Sequence, residues 1–381
     1  MKERYPMSDL RWWIEHGDAA EALKILPDGS VDALVTDPPA GIGFMGKEWD
    51  DFRRARNPAD AGRDSVHGRF SRSGPEYGRR DRQHFIAWLA DILTECRRAM
   101  KPGAYGWVWA IPRTAHWTAT ACEDAGFAVR DVLVHVFGTG FPKSRSLLKP
   151  AAEHWILIKA PGELRELRIE ENRIEGVPDK PGGKIRATRH YDAHEKAEGY
   201  SLVEAPEPPS GRWPANFALS HSEDCADTCT DNCAVRMLDE QSEGKMHSAG
   251  AARDGAMATV ADTYVASGYM LPPNRNMRRL GDSGGASRFF YQAKPSTRER
   301  RQGLPDGARN THTTVKSISL MRHLVSLVAA PGATILDPFT GSGSTGIAAL
   351  AEDCRFIGIE KETEYVEIAR QRIAAEAAKT S

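Results

Sequence analysis

Short apolar runs alternate with helix-spaced runs toward both ends of this chain, and that alternation constrains its fold more than any other feature. Ala19 to Leu26 reads as a short helix, and Val31 to Thr36 as a buried strand that ends at Asp37–Pro38–Pro39. From His84 to Met100, apolar residues recur at helical spacing (Phe85, Trp88, Leu89, Ile92, Leu93, Cys96), and Lys101–Pro102–Gly103 ends the helix. A strand at Trp107–Ile111, a helix at Thr114–Ala125 and a strand at Val129–Val136 follow. The pattern returns with a helix at Ser319–Val328, a strand at Thr334–Asp337 and a glycine-rich turn entering a helix over Gly341–Leu350. A strand at Phe356–Glu360 and a helix at Glu364–Lys379 complete it. Such alternation implies an α/β fold, a mostly parallel sheet covered on both faces.

Between these regions, 161–215 is charged and weakly periodic, and 240–285 is rich in Gly, Ser and Asn. The expected organisation is therefore one domain in two parts, 1–150 and 286–381, around an inserted loop-rich region at 151–285. With 40% hydrophobic residues among 381, a sizeable core can be buried. The opening residues lack a signal-peptide pattern, and no run of roughly 18 apolar residues offers a membrane span. Six cysteines in this length do not make a secreted disulfide scaffold, so a soluble cytoplasmic protein with no membrane partner is expected. The net charge is only −1, but it hides two basic stretches. Residues 53–82 hold nine Arg against four acids, and 273–301 hold eight Lys or Arg against two acids.

The turn Asp337–Pro338–Phe339–Thr340–Gly341–Ser342–Gly343 joins a strand to a helix, and Glu360 closes the next strand 23 residues after Asp337. Glycines let backbone approach a ligand, and an acid at that spacing can accept hydrogen bonds from ribose hydroxyls. A nucleotide-like ligand follows, either a dinucleotide or another adenosine cofactor. There is no G-x-x-x-x-G-K-[ST] phosphate loop. Asp37–Pro38–Pro39–Ala40 follows its strand directly. Two prolines lock φ and remove both amide donors, which leaves a rigid carboxylate–carbonyl acceptor pair suited to an amino group. Fixed acceptors of this kind stabilise positive charge that grows on an attacking amine.

With both motifs in this order, the chain resembles the S-adenosylmethionine-dependent amino-methyltransferases of DNA whose catalytic motif precedes the cofactor motif. Phe339 to Gly343 resembles that family's F-x-G-x-G loop, Glu360 its ribose-binding acid, and Gly17–Asp18 its adenine-contacting acidic position. Arg288 to Lys294 and the later His312 to Lys316 also resemble it. The resemblance implies a Rossmann-like methyltransferase fold with S-adenosylmethionine as cofactor. Its binding residues would be Asp18, Lys316, Asp337, Phe339, Gly341, Gly343 and Glu360. Asp37, Pro38, Pro39 and Ala40 would form the catalytic turn. The partner would be double-stranded DNA, with 151–285 recognising the target, and a homodimer is compatible with the family.

Two departures stand out. The family's tetrapeptide usually ends in Tyr, Phe or Trp, whose ring stacks on the flipped base, and here it ends in Ala40. A stacked ring is worth roughly 1–3 kcal/mol per base, so base capture should weaken unless another ring substitutes, with Phe44 and Trp49 as neighbours in sequence. Thr313 and Ser317 stand where the family often has Pro.

The expected reaction is methyl transfer to an exocyclic amino group of a flipped base, with adenine N6 preferred because Asp heads the tetrapeptide more often among adenine members. Cytosine N4 is the alternative, and so is a homologue that binds DNA but is impaired by Ala40. Cytosine C5 chemistry would need a cysteine nucleophile, and no Pro–Cys loop is present.

His221, Cys225, Cys229 and Cys233 recur every fourth residue. Three Cys and one His suit tetrahedral zinc. On one continuous helix the outer pair would lie ~18 Å apart, so intervening turns would have to gather them. Structural zinc, unpaired thiols and a disulfide all remain open from sequence. Cys96, Cys122 and Cys354 are expected to be buried.

Overall fold

The computed structural model describes residues 10–42, 50, 52, 79–138, 148–176, 184–186, 202–204, 210–222, 224–225, 228–231, 233–242, 284–294 and 298–379. Nine strands form one sheet: β1 (Trp12–His16), β2 (Ala33–Thr36), β3 (Tyr105–Ala110), β4 (Ala128–Val136), β5 (Ala152–Lys159), β8 (Phe217–Ser220), β9 (Tyr291–Ala293), β10 (Thr334–Asp337) and β11 (Arg355–Glu360). Two short strands, β6 (Lys184–Arg186) and β7 (Leu202–Glu204), pair antiparallel with each other away from it. The helices are α1 (Ala19–Ala22), α2 (Arg79–Ala99), α3 (Ala115–Asp124), α4 (Ala234–Ser242), α5 (Ile318–Val328), α6 (Ser344–Ala351) and α7 (Thr363–Ala377).

The sheet order is β1-β11-β10-β2-β3-β5-β4-β8-β9. Only β5 runs antiparallel to its neighbours, β3 and β4, so the mostly parallel sheet holds. All four residues of β2 and of β10 are buried, as both covered faces require. One face packs Leu23, Leu26, Phe85, Leu89, Leu93 and Cys122 from the first three helices and their flanks. The other packs Leu320, Leu324, Ile347, Leu350, Val366 and Ile373 from α5, α6 and α7. Cys96, Cys122 and Cys354 lie buried, as their positions in the apolar pattern imply.

β1, β6, β7, β8, β9 and α4 form where the sequence pattern predicts no element, and two further elements differ from the expectation. α2 begins at Arg79, five residues before the apolar periodicity at His84, because its charged first turn carries no apolar signal. The stretch read as a loop-rich insertion opens with β5, which fills the sheet between β3 and β4. β4 and β5 are antiparallel neighbours, with no helix between them among the described residues, so the strand–helix alternation breaks where β5 begins.

The topology sets the site. From β10 the chain passes through α6 to β11 on one side, and from β2 through α2 to β3 on the other. The two strands lie side by side in parallel, Leu336 opposite Leu34, and their outgoing connections diverge. Ligands of open α/β sheets bind in the crevice that such a divergence opens at the strand ends.

Candidate active site and metal cluster

The glycine-rich turn and the Asp–Pro–Pro turn leave β10 and β2 at the same end of that crevice. Asp337, 1% exposed, spends its carboxylate inside the protein. It accepts hydrogen bonds from Thr36 Oγ1 at 2.8 Å, from Thr345 Oγ1 at 2.6 Å and from the Phe339 amide at 3.1 Å. The side chain thereby ties both strands and the glycine turn together, and burial pushes its carboxyl up to about 7. Phe339 packs on Trp88, ring centroids 5.7 Å apart. Gly341 adopts φ +53° and Gly343 φ +83°. A Cβ at Gly341 would lie 2.8 Å from His312 Nε2, so both backbone conformation and space demand glycine there.

Glu360 ends β11 beside this turn. Its oxygens accept the Gly341 amide at 2.7 Å and the Glu362 amide at 2.8 Å, while burial raises its pKa against those bonds. Asp18 caps α1 by accepting the Ala20 amide, pairs with Lys361 at 3.3 Å and follows Gly17, whose amide donates to the Glu360 carbonyl. These contacts put Asp18 and Glu360 at one corner of the crevice. Two of the buried polar atoms with no partner among the described residues belong to this region: Ser344 Oγ at the start of α6 and His312 Nδ1. A glycine turn with positive φ, an acid at the adjacent strand end and these two open polar atoms fit an adenosine cofactor with a polar tail.

Sequence reasoning missed the support beneath the turn. Arg372 of α7 is fully buried and donates to Ser342 O at 2.5 Å, Ser342 Oγ at 3.0 Å, Glu299 O at 2.9 Å and Gln302 O at 3.3 Å. The loop before α5, which carries Thr313 and Ser317, is held by hydrogen bonds. Glu299 accepts from Ser317 Oγ and the Ile318 amide, and Glu364 accepts from Thr311 Oγ1.

The Asp–Pro–Pro–Ala turn is fixed from two sides. The Ala40 carbonyl accepts from Thr114 Oγ1 at 2.9 Å, and the Gly41 amide donates to buried Asp50 at 2.6 Å. Phe44 and Trp49, the rings nearest in sequence, lie outside the described residues, as does most of the 53–82 stretch. Asp37 pairs with Lys316 at 2.9 Å. The family resemblance implies a cofactor-binding role for Lys316. The structure shows that the stretch it ends spans the crevice, with His312 over the glycines and Lys316 on Asp37.

Lys316 also lies 3.7 Å from Glu153 of β5 and 3.8 Å from the ring centroid of Trp109 of β3. Glu153 in turn accepts from Trp109 Nε1 at 2.6 Å and contacts His135 Nδ1 at 2.8 Å, while His135 Nε2 meets Ser220 Oγ at 2.6 Å. Burial raises Asp37 to about 6 although Lys316 pulls it down. Burial also pushes against Glu153, but Lys316, His135 and Trp109 outweigh it and hold that carboxyl at about 2. Lys316 is kept charged by the two acids against its burial. Trp109, His135, Glu153 and Ser220 carry no local motif. Only the pairing of β3, β5, β4 and β8 brings them together.

The His–Cys run is gathered as the turns suggest. His221 follows β8, Cys233 precedes α4, and 222–225 and 230–233 each close with an amide-to-carbonyl bond. The four ligand atoms lie within 4.8 Å of one another, with His221 Nδ1 at 3.3 Å from Cys229 Sγ and 3.4 Å from Cys233 Sγ. Tetrahedral zinc with bonds of ~2.0–2.3 Å needs ligand separations in this range. The other ring nitrogen, His221 Nε2, meets Gln292 Oε1 at 3.1 Å, which leaves Nδ1 as the ligand nitrogen. No disulfide links the described cysteines.

Residues 31–371 match the DNA methylase family of N6 and N4 methyltransferases, and the chain belongs to it. Over 65 residues it is 46% identical to the type II methyltransferase M2.DpnII of Streptococcus pneumoniae, a stretch covering 17% of this chain and 24% of that protein. It is 44% identical over 64 residues to the putative methylase YubD of Escherichia coli K12, covering 17% of this chain and 28% of that protein. The chain thus spans about a quarter of the length of these relatives. Among solved structures, the cytosine-N4-specific PvuII DNA methyltransferase aligns with 97% of this chain and 92% of its own at 12% identity, TM-score 0.48. No described helix is long and apolar enough to cross a membrane.

Proposed function

We propose that this protein transfers a methyl group from S-adenosylmethionine to an exocyclic amino nitrogen of a base in double-stranded DNA, adenine N6 before cytosine N4. The observation that carries the reading is the juxtaposition of the rigid Asp37–Pro38–Pro39 turn with the glycine turn at one divergence of the sheet. The target atom is out of reach inside a duplex, so the base must be flipped out. When bound, the cofactor supplies a sulfonium methyl. Glu360 and Asp18 would hold its adenosine, and Ser344 and His312 its polar tail.

Asp37 and the Pro38 carbonyl would accept the two amino hydrogens and so aim the nitrogen lone pair. As that nitrogen gains carbon, its N–H bonds become more acidic, and the fixed carboxylate stabilises the growing charge. The acceleration then comes from positioning and preorganised electrostatics. The basic stretches at 53–82 and 273–301 would grip phosphates, making binding steeply salt-dependent. His221, Cys225, Cys229 and Cys233 would hold a structural zinc that fastens β8 to α4.

The test is mass spectrometry of nucleosides from DNA incubated with the protein and methyl-labelled S-adenosylmethionine. Labelled N6-methyladenine is the expected product. Labelled N4-methylcytosine would reassign the base, and no labelled base while the cofactor still binds would overturn the reading.

A further inference from the structure

The tetrapeptide lacks its aromatic residue, yet one ring stands at the reacting carboxylate. We propose that Trp109 takes over the stacking role that Ala40 cannot fill, and that the Lys316 ammonium marks where the target's amino group will sit. The inference rests on the methyl-transfer reading above.

The sheet register brings the two residues together. Thr36 of β2 pairs with Val108 of β3, so the next residues along, Asp37 just past the end of β2 and Trp109 still within β3, lie side by side. The two side chains meet through one atom. Lys316 Nζ is 2.9 Å from Asp37 Oδ2 and 3.8 Å from the centroid of the Trp109 ring. An amino group held by Asp37, on a base stacked against an indole, would satisfy the same two contacts. The ammonium is thus a nitrogen donor resting on the acceptor and the π-face that the target would use.

The ring is also preorganised. Trp109 Nε1 donates to Glu153 Oε2 at 2.6 Å, which fixes the plane of the indole before any base arrives. Glu153 offers the displaced ammonium a second anion 3.7 Å away, so Lys316 can yield the face of Trp109 without losing a counterion. Asp37 and Glu153 face this lysine directly, His135 sits behind Glu153 and His312 feels its charge, with Trp109 as its apolar wall. The same elements explain how a chain with Ala40 retains a stacking platform: it comes from the neighbouring strand instead of the end of the catalytic turn.

The experiment compares wild type, Trp109→Ala, Trp109→Phe and the double variant Trp109→Ala/Ala40→Tyr. Methyl transfer is measured from labelled S-adenosylmethionine to PCR-amplified, unmethylated plasmid DNA, alongside S-adenosylmethionine affinity and melting temperature. Trp109→Ala is expected to lose roughly 10- to 100-fold in kcat/KM for DNA, the effect of removing one stacked ring, with cofactor affinity preserved. Trp109→Phe should recover most of that loss, and Ala40→Tyr should partly rescue the alanine variant by restoring a ring from the other side.

Two results would overturn the inference while leaving methyl transfer standing. One is wild-type kcat/KM in a folded Trp109→Ala protein. The other is a loss that neither ring restores, which would make Trp109 a packing residue. An inactive wild type would instead remove the methyl-transfer reading, and this inference with it.

Discussion

Lys316 lies between the Asp37 and Glu153 carboxylates, and replacing it by Met should move the pH dependence of the reaction. Only ionised Asp37 can accept from an amino group. With Asp37 at about 6, wild-type transfer should be near its plateau at pH 7.5 and fall as pH drops through 6. The raised pKa favours the protonated, inactive form at low pH, and Lys316 opposes that rise. At 2.9 Å and an effective dielectric of about 20, the bare attraction is about 6 kcal/mol. Sharing the cation with Glu153 and the partial exposure of Asp37 reduce the net effect to a few kcal/mol, or about two pH units of midpoint.

Lys316→Met should therefore carry the acid limb from about 6 to about 8. Transfer at pH 7 would drop about tenfold and return at pH 9. The assay is the pH profile of single-turnover methyl transfer at saturating cofactor. An acid limb that stays at about 6 would refute the electrostatic argument. A loss independent of pH, accompanied by weakened cofactor binding, would make Lys316 a cofactor contact instead.

Further outcomes follow from the same geometry. Purified protein should contain about one zinc per chain, and Cys233→Ser should abolish it and lower the melting temperature, as read by metal analysis and calorimetry. Arg372→Met should cost about 3 kcal/mol of stability in denaturant melts, because it strips the buried Ser342 carbonyl and hydroxyl of the guanidinium that donates to them. Gly341→Ala should weaken cofactor binding in titration calorimetry and destabilise the fold by about 1–2 kcal/mol, since φ is +53° and His312 blocks the new methyl group.

The sequence was most legible where function is written locally. The two strand-ending turns, the acid at Glu360 and the His–Cys spacing each occupy a few consecutive residues whose chemistry restricts the backbone. The alternation of apolar periods also carried the parallel core and both helical layers. What escaped was set by strand neighbours. Glu153 reaches Trp109 across 44 residues, and His135 reaches Ser220 across 85. No spacing rule links them until β5 is inserted antiparallel between β3 and β4. Arg372 was hidden differently. It looks like one more charged residue on an amphipathic helix, yet it points inward because the glycine turn leaves carbonyls that need a donor.

The bond between Thr36 and Asp337 joins residues 301 apart in the chain, and the paired strands they end form the floor of the crevice. A ribosome adding ~5–20 residues per second delivers β10 roughly 15–60 s after β2. Throughout that interval β2 has one edge without its final neighbour, the kind of exposed strand edge that recruits other chains. The nascent chain thus carries an exposed strand edge over that interval, and the crevice between the two turns cannot form until β10 has been made.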